Sequence, residues 1–273
     1  MFFKWGLRGI STQLRFEQMK KNTFWLALIG MAMAAGACHT PHVMTDISRS
    51  RILVDGRYDE HPDAEAAAFV EPYSRRVDSL MSPVVGSMAR YMAAYKPESE
   101  LSNLLADILM WTGKRYGERP DFAVYNMGGI RAAFAKGPVT LGNILDVAPF
   151  ENKICFLTLT GANVVDLFRQ MARRGGEGVS HGVELEMTRG GELLKVRING
   201  KEVDPAGSYR VATLDYLAQG NDQLVAFKTL SDMKSPQGLE DNVRELIREF
   251  FKEQETAGNV VDSQVEGRIK IVE

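Results

Sequence analysis

Phe122-Ala123-Val124-Tyr125-Asn126-Met127-Gly128-Gly129-Ile130-Arg131 joins two kinds of sequence. Residues 122–125 have the aromatic and β-branched composition of a strand. The next six contain an asparagine, two adjacent glycines and an arginine. Adjacent glycines let the backbone take φ > 0 and approach a ligand. Arginine offers a planar five-donor fork suited to an anion, and asparagine adds a donor and an acceptor. The same residues also suit a tight turn with a solvated arginine, and this stretch alone does not separate the two.

The flanking sequence places this junction in a layered fold. Leu104, Leu105, Ile108 and Leu109 lie on one side of a helix over residues 101–116, closed by Gly117 and Pro120. Between residues 65 and 95, Val70, Tyr73, Val77, Leu80 and Met81 recur at helical steps. Pro72 suits a first turn, which puts that helix start near Val70, and Pro83 breaks it. Val84-Val85-Gly86 opens a short strand or turn. Residues 154–159 are apolar at nearly every position, as in a buried strand. Thr160 is placed to cap a helix over 162–173, and Gly175-Gly176 to end it. Strands follow at 183–187, 193–198 and 209–214, with Gly190-Gly191 and Asn199-Gly200 as turns. A charged helix over 241–252 and a strand over 267–272 close the chain. Helices and strands interleave without strict βαβ alternation, so the expected class is α+β: a mixed β-sheet with flanking helices.

The chain has 273 residues with 45% apolar and 25% charged residues, which excludes a disordered polymer. A net charge of −2 gives no footprint for a nucleic acid polymer. Two cysteines, Cys38 and Cys155, exclude a disulfide scaffold. Cys155 falls in the apolar 154–159 run and reads as a core thiol. Lys20 and Lys21 precede an apolar run over 24–37 that ends at Cys38. A basic flank, a short apolar stretch and small residues before a cleavage point describe an export signal. Met19 stands directly before Lys20 and is the natural start of that signal. Ala35-Gly36-Ala37-Cys38 resembles a lipoprotein cleavage box, with Ala35 where leucine is more usual. The expected organisation is a signal over 1–38 ending at a lipidated Cys38, a tether over 39–64 and one domain over 65–273. The expected location is the outer side of a bacterial membrane, held by a lipid anchor.

Two further stretches carry polar and aromatic groups. In Pro149-Phe150-Glu151-Asn152 an aromatic is followed two residues on by an amide, a pair that can stack on a base and bond its edge. In residues 214–222 a strand runs into Tyr216, Gly220, Asn221 and Asp222. Tyr216 could form a second stacking wall and Asp222 could accept from a pair of hydroxyls. Taken singly, Phe150 suits a core position and the second stretch an ordinary polar loop.

Taken together and in order, these stretches resemble the C-terminal domain of the 5'-nucleotidase family. The resemblance spans roughly residues 84–272. It includes Leu141-Gly142-Asn143, Leu159-Thr160-Gly161 and the closing Val265-Glu266-Gly267-Arg268-Ile269. In that family the C-terminal domain grips the nucleoside, while a separate N-terminal domain holds two metals and hydrolyses the phosphoester. The resemblance implies that Asn126 and Arg131 contact substrate and that Phe150 and Tyr216 sandwich the base. It implies that Asn152 lies near the base edge and that Asp222 binds the ribose hydroxyls. Two positions depart from the family pattern. Tyr95 stands where an arginine is usual and Ser102 where a glycine is usual, which leaves Lys96 as a candidate substitute cation.

A two-metal phosphoesterase needs clustered Asp, His and Asn ligands. The sequence has no Gly-Asn-His-Asp or Gly-His-x-His run, and its histidines are His39, His42, His61 and His181. His39 and His42 adjoin Cys38, His61 lies in the tether, and His181 sits in a loop that could border the ligand site. No catalytic or metal-binding residue is therefore assigned, and divalent metals are expected only in a partner. Two functions fit: the nucleotide-recognising subunit of a split 5'-nucleotidase beside a metallophosphoesterase chain, or a stand-alone nucleoside- or nucleotide-binding lipoprotein. A scaffold with a vestigial pocket fits less well, because Asn126, Arg131, Phe150, Asn152 and Asp222 are all retained. Mass spectrometry of the native protein should find a lipidated Cys38 at its amino terminus; a retained 24–37 segment would refute the leader reading.

Overall fold

The computed structural model describes residues 44–273. The leader and the Cys38 lipidation site lie outside the described residues. The chain divides into two units, Met1–Pro62 and Asp63–Glu273. The described part of the first is exposed and holds one short turn, Gly56–Tyr58, in which Asp55 accepts from the Arg57 N–H.

In the second unit the helices are α1 (Ala64–Met81), α2 (Glu100–Tyr116), α3 (Leu141–Val147), α4 (Gly161–Arg173), α5 (Asp215–Ala218) and α6 (Val243–Thr256). The strands are β1 (Val84–Met88), β2 (Phe122–Tyr125), β3 (Gly137–Thr140), β4 (Ile154–Thr160), β5 (Gly178–Val179), β6 (Val183–Thr188), β7 (Leu193–Ile198), β8 (Lys201–Glu202), β9 (Ser208–Leu214), β10 (Ser231–Lys234) and β11 (Ile269–Val272). A five-stranded mixed sheet runs β10-β4-β9-β2-β5. A four-stranded sheet runs β11-β6-β7-β8, and β1 pairs with β3.

Strands β4, β9 and β2 of the central sheet are buried on both faces, and period-two alternation sorts their side chains. Ala123, Tyr125, Ile154, Phe156, Ala212 and Leu214 join one core with residues of α2 and α6. Phe122, Val124, Cys155, Leu157, Leu159 and Val211 join the other with residues of α4 and β6. Two-sided burial explains why 154–159 shows no polar alternation. The α+β mixed sheet with flanking helices is thus the observed architecture.

Several boundaries differ from the sequence reading. Helix α1 begins at Ala64 rather than near Val70, because the Asp63 side chain accepts from the Glu65 and Ala66 N–H groups. Pro72 sits inside that helix, not in its first turn. Its apolar stripe stays exposed: Tyr73 is 63% and Leu80 53% accessible. The helical period is real, but it marks no core face within this unit. The sequence reading also omits β3, α3 and β10. All are short, and β10 is exposed at every position, so burial leaves no apolar pattern to detect.

Residues at two of the family-like motifs serve the fold. Buried Glu98 accepts from Asn103 Nδ2 at 2.7 Å, from Glu266 N at 2.9 Å and from Ile269 N at 3.1 Å. Arg268, 4% exposed, makes a forked pair with Asp107 at 2.8 and 2.7 Å. These contacts fasten the last segment to α2. Ser102, in the usual glycine position, completes a capping box with Ser99 at the start of α2. Glu98→Ala should strip the Glu266 and Ile269 amides of their acceptor and cost about 2–4 kcal/mol. Denaturant unfolding and hydrogen exchange at those two amides would measure it.

Candidate functional site

Strand directions gather the three polar stretches. Strands β2 and β9 are parallel, pairing Phe122 with Val211 and Ala123 with Ala212. The stretch after β2 (Asn126 to Arg131) and the one after β9 (Tyr216 to Asp222) therefore leave the sheet at the same edge. Strand β4 is antiparallel to β9, pairing Ile154 with Leu214, so its leading residues Phe150 and Asn152 enter from that edge. Local bonds fasten the stretches together. Asp215 N donates to Lys153 O at 2.9 Å, and Lys153 N donates to Asp215 Oδ1 at 3.1 Å. Arg131 N donates to Val147 O at 3.0 Å, and Val243 N to Asn152 O at 2.8 Å.

Asp222 is the meeting point. Its Oδ2 accepts from Asn126 Nδ2 at 2.9 Å, and its Oδ1 accepts from the Tyr216 hydroxyl at 3.2 Å. Asp222 and Gln223 both have left-handed backbones, at φ 54° and 61°. Such a conformation costs a non-glycine residue about 1–2 kcal/mol, and it persists where side-chain bonds fix the carboxylate. Burial, and next the negative charge of Asp222, raise the Tyr216 hydroxyl pKa above the ordinary phenol value, which keeps it a donor.

Arg131 and Phe150 form the neighbouring group. The guanidinium carbon of Arg131 lies 6.0 Å from the centre of the Phe150 ring, a cation–π arrangement. Phe150 is 48% exposed and Tyr216 36% exposed, so neither aromatic is a core residue. The two rings make no direct contact among the described aromatic pairs. Asn152 is half-buried on its stretch, tied down through its carbonyl.

The structure corrects three details. Neither Gly128 nor Gly129 has positive φ. Gly129 is needed for space instead, because a Cβ there would stand 2.8 Å from Asn126 Oδ1. Tyr216 lies in the short helix α5 rather than in a loop. Lys96 is engaged with the protein: its ammonium donates to the Arg174 carbonyl and stands 3.5 Å from Glu177. His181 Nδ1 sits 2.9 Å from Glu266 and lines a cavity with Asn199 and Arg268, which none of the candidate contact residues lines.

Sequence reasoning missed Arg174 and Glu177. Arg174 Nε donates to Glu177 at 2.9 Å, and its Nη2 stands 3.9 Å from Asp222 Oδ1. Glu177 is fully buried and also accepts from Met127 N at 2.7 Å. The only signal in the sequence is the Gly175-Gly176 pair between them, which reads as a helix end. Elsewhere, burial pushes the Cys155 thiol up to about 11, with the charge of Asp215 adding to it, so it is no ready nucleophile. Among the described residues no three His, Cys, Asp or Glu side chains gather as a metal set.

Comparison with known proteins places the chain. Residues 81–231 match the family model described as 5'-nucleotidase, C-terminal domain. The trifunctional nucleotide phosphoesterase protein YfkN of Bacillus subtilis is 29% identical over 252 residues, covering 84% of this chain and 16% of the relative. Protein UshA of Escherichia coli is 34% identical over 105 residues, covering 37% and 19%. A 5'-nucleotidase precursor from Thermus thermophilus shares the fold with a TM-score of 0.66 at 24% identity, over 76% of this chain and 43% of that one. The chain thus spans less than half the length of each of these three proteins. It belongs to the 5'-nucleotidase C-terminal domain family.

Proposed function

We propose that this chain is the nucleotide-recognising subunit of a split 5'-nucleotidase, serving nucleotide catabolism, with a separate metallophosphoesterase chain supplying the divalent metals. The observation that carries this reading is the convergence on one sheet edge. There Asp222 is oriented by Asn126 and Tyr216 beside an exposed Arg131–Phe150 pair. Membership of a C-terminal domain family supports a partner that brings the catalytic part. The Cys38 box supports an exported, lipid-anchored protein.

Each residue has a chemical role in this reading. Phe150 and Tyr216 offer aromatic faces to a base, a contact any base can make. Asn152 bonds the base edge. A carboxylate has about four lone-pair positions, and Asn126 and Tyr216 occupy two on Asp222, which leaves acceptors for ribose hydroxyls. Arg131 meets the phosphate through its fork. The phosphoester bond is cut by the partner.

Co-purification from native membranes, followed by a nucleotidase assay, tests the split arrangement. A metallophosphoesterase chain should co-purify and the complex should release phosphate from AMP, while the recombinant chain alone releases none. Metal-dependent AMP hydrolysis by the pure chain would sink the idea. For the pocket, Phe150→Ala should cost about 1–3 kcal/mol of nucleoside affinity. Tyr216→Phe should be mild for the base, because the ring is kept. Calorimetry decides both, and an unchanged affinity in Phe150→Ala counts against the stacking role.

A further inference from the structure

The region between α4 and β5 holds a charged device that neither the sequence motifs nor the family resemblance accounts for. Arg174 follows the last residue of α4, and its carbonyl accepts from the Lys96 ammonium. Gly175 and Gly176 then take φ of 81° and 104°. A Cβ on Gly176 would stand 2.4 Å from the Pro97 carbonyl oxygen, so the chain passes this point only as glycine. That reversal carries Glu177 inside, where it is fully buried. Its carboxylate meets Arg174 Nε at 2.9 Å, Lys96 Nζ at 3.5 Å and the Met127 amide at 2.7 Å. A buried carboxylate with two cations and an N–H is a fixed anchor. It ties Arg174 to the same turn that carries Asn126.

The guanidinium therefore cannot swing freely. Its side chain is 22% exposed, and its Nη2 is held 3.9 Å from Asp222 Oδ1. That separation is too long for a hydrogen bond and short enough for attraction. Among the described residues its Nη groups donate to no acceptor, while Asp222 keeps open lone pairs. A donor pair facing an acceptor pair suits a vicinal diol, whose hydroxyls each donate and accept. We propose that Arg174 is a specificity-determining residue for ribosides with free 2′ and 3′ hydroxyls, and that Glu177 is the positioning residue that aims it. Each hydroxyl donates to Asp222 and accepts from Arg174. The proposal rests on the nucleoside-binding reading above.

The test is calorimetry on the full chain with adenosine and uridine, their 2′,3′-dideoxy forms and the free bases. The readout is the ratio of dideoxyriboside to riboside Kd. Arg174→Ala should lower that ratio about tenfold while sparing the free bases and dideoxyribosides. Arg174→Lys should restore part of it, since it keeps a charge but not the fork. Glu177→Gln keeps an acceptor for the Met127 amide and loses the charge that holds Arg174, so the ratio should fall about threefold. A wild-type ratio in Arg174→Ala overturns the proposal. Equal loss for all ligands, with a lower melting temperature, assigns Arg174 a structural role and overturns it too. If the wild-type chain binds none of the ligands, the nucleoside-binding reading itself fails. If it binds them all but without ribose preference, base recognition stands and the diol contact is wrong.

Discussion

The parallel pairing of β2 with β9, beside the antiparallel pairing of β9 with β4, is the constraint on which the candidate site depends. Two parallel strands deliver their C-terminal ends to one edge. An antiparallel neighbour brings its N-terminal end to the same edge. Three stretches far apart in sequence thereby become adjacent without any long-range loop. The backbone ladder fixes their spacing, and side chains need only complete the geometry. A one-residue slip of β9 would turn its core residues to the wrong face and move Tyr216 and Asp222 relative to Asn126. Burial on both faces of these strands makes such a slip costly.

Buried carboxylates then turn a scaffold into a rigid site. Glu98 and Glu177 are nearly or fully inaccessible, and each accepts backbone N–H groups from a distant segment. An unpaired buried charge is expensive, so each carboxylate holds only while its partners stay in place. Glu98 closes the last strand onto α2, and Glu177 joins the end of α4 to the turn after β2. The surface side chains behave differently. Arg131 and Phe150 are exposed, and Arg131 is held by its backbone N–H on Val147 rather than by burial. This division between a fixed Asp222 group and an open aromatic–arginine pair suits a surface that must admit a ligand.

The exposed apolar stripe of α1 is a different matter. Its residues repeat with helical period, yet they stay in solvent within this unit. The family match begins at the end of that helix. Hydrophobic periodicity reports a helix face reliably, but it does not say which surface the face will meet.

By itself, the sequence determined the layered α+β class, because two-sided burial and helical periods are local properties of residue order. It also marked Asn126, Arg131, Phe150, Asn152, Tyr216 and Asp222 as candidates, since these stand in recognisable stretches beside strands. Short elements such as β10 and α3 were illegible, because a few exposed or capped residues carry no period. The use of Gly129 was misread, because a glycine needed for space looks the same in sequence as one needed for positive φ. Only the tertiary structure decided that Asp222 bonds Asn126 and Tyr216 and lies near Arg174. It alone turned Lys96 from a candidate anion contact into a prop for Arg174 and Glu177. Those pairings depend on strand register and on a glycine-enabled chain reversal, and the energy of a buried charge is set by neighbours that sequence distance does not reveal.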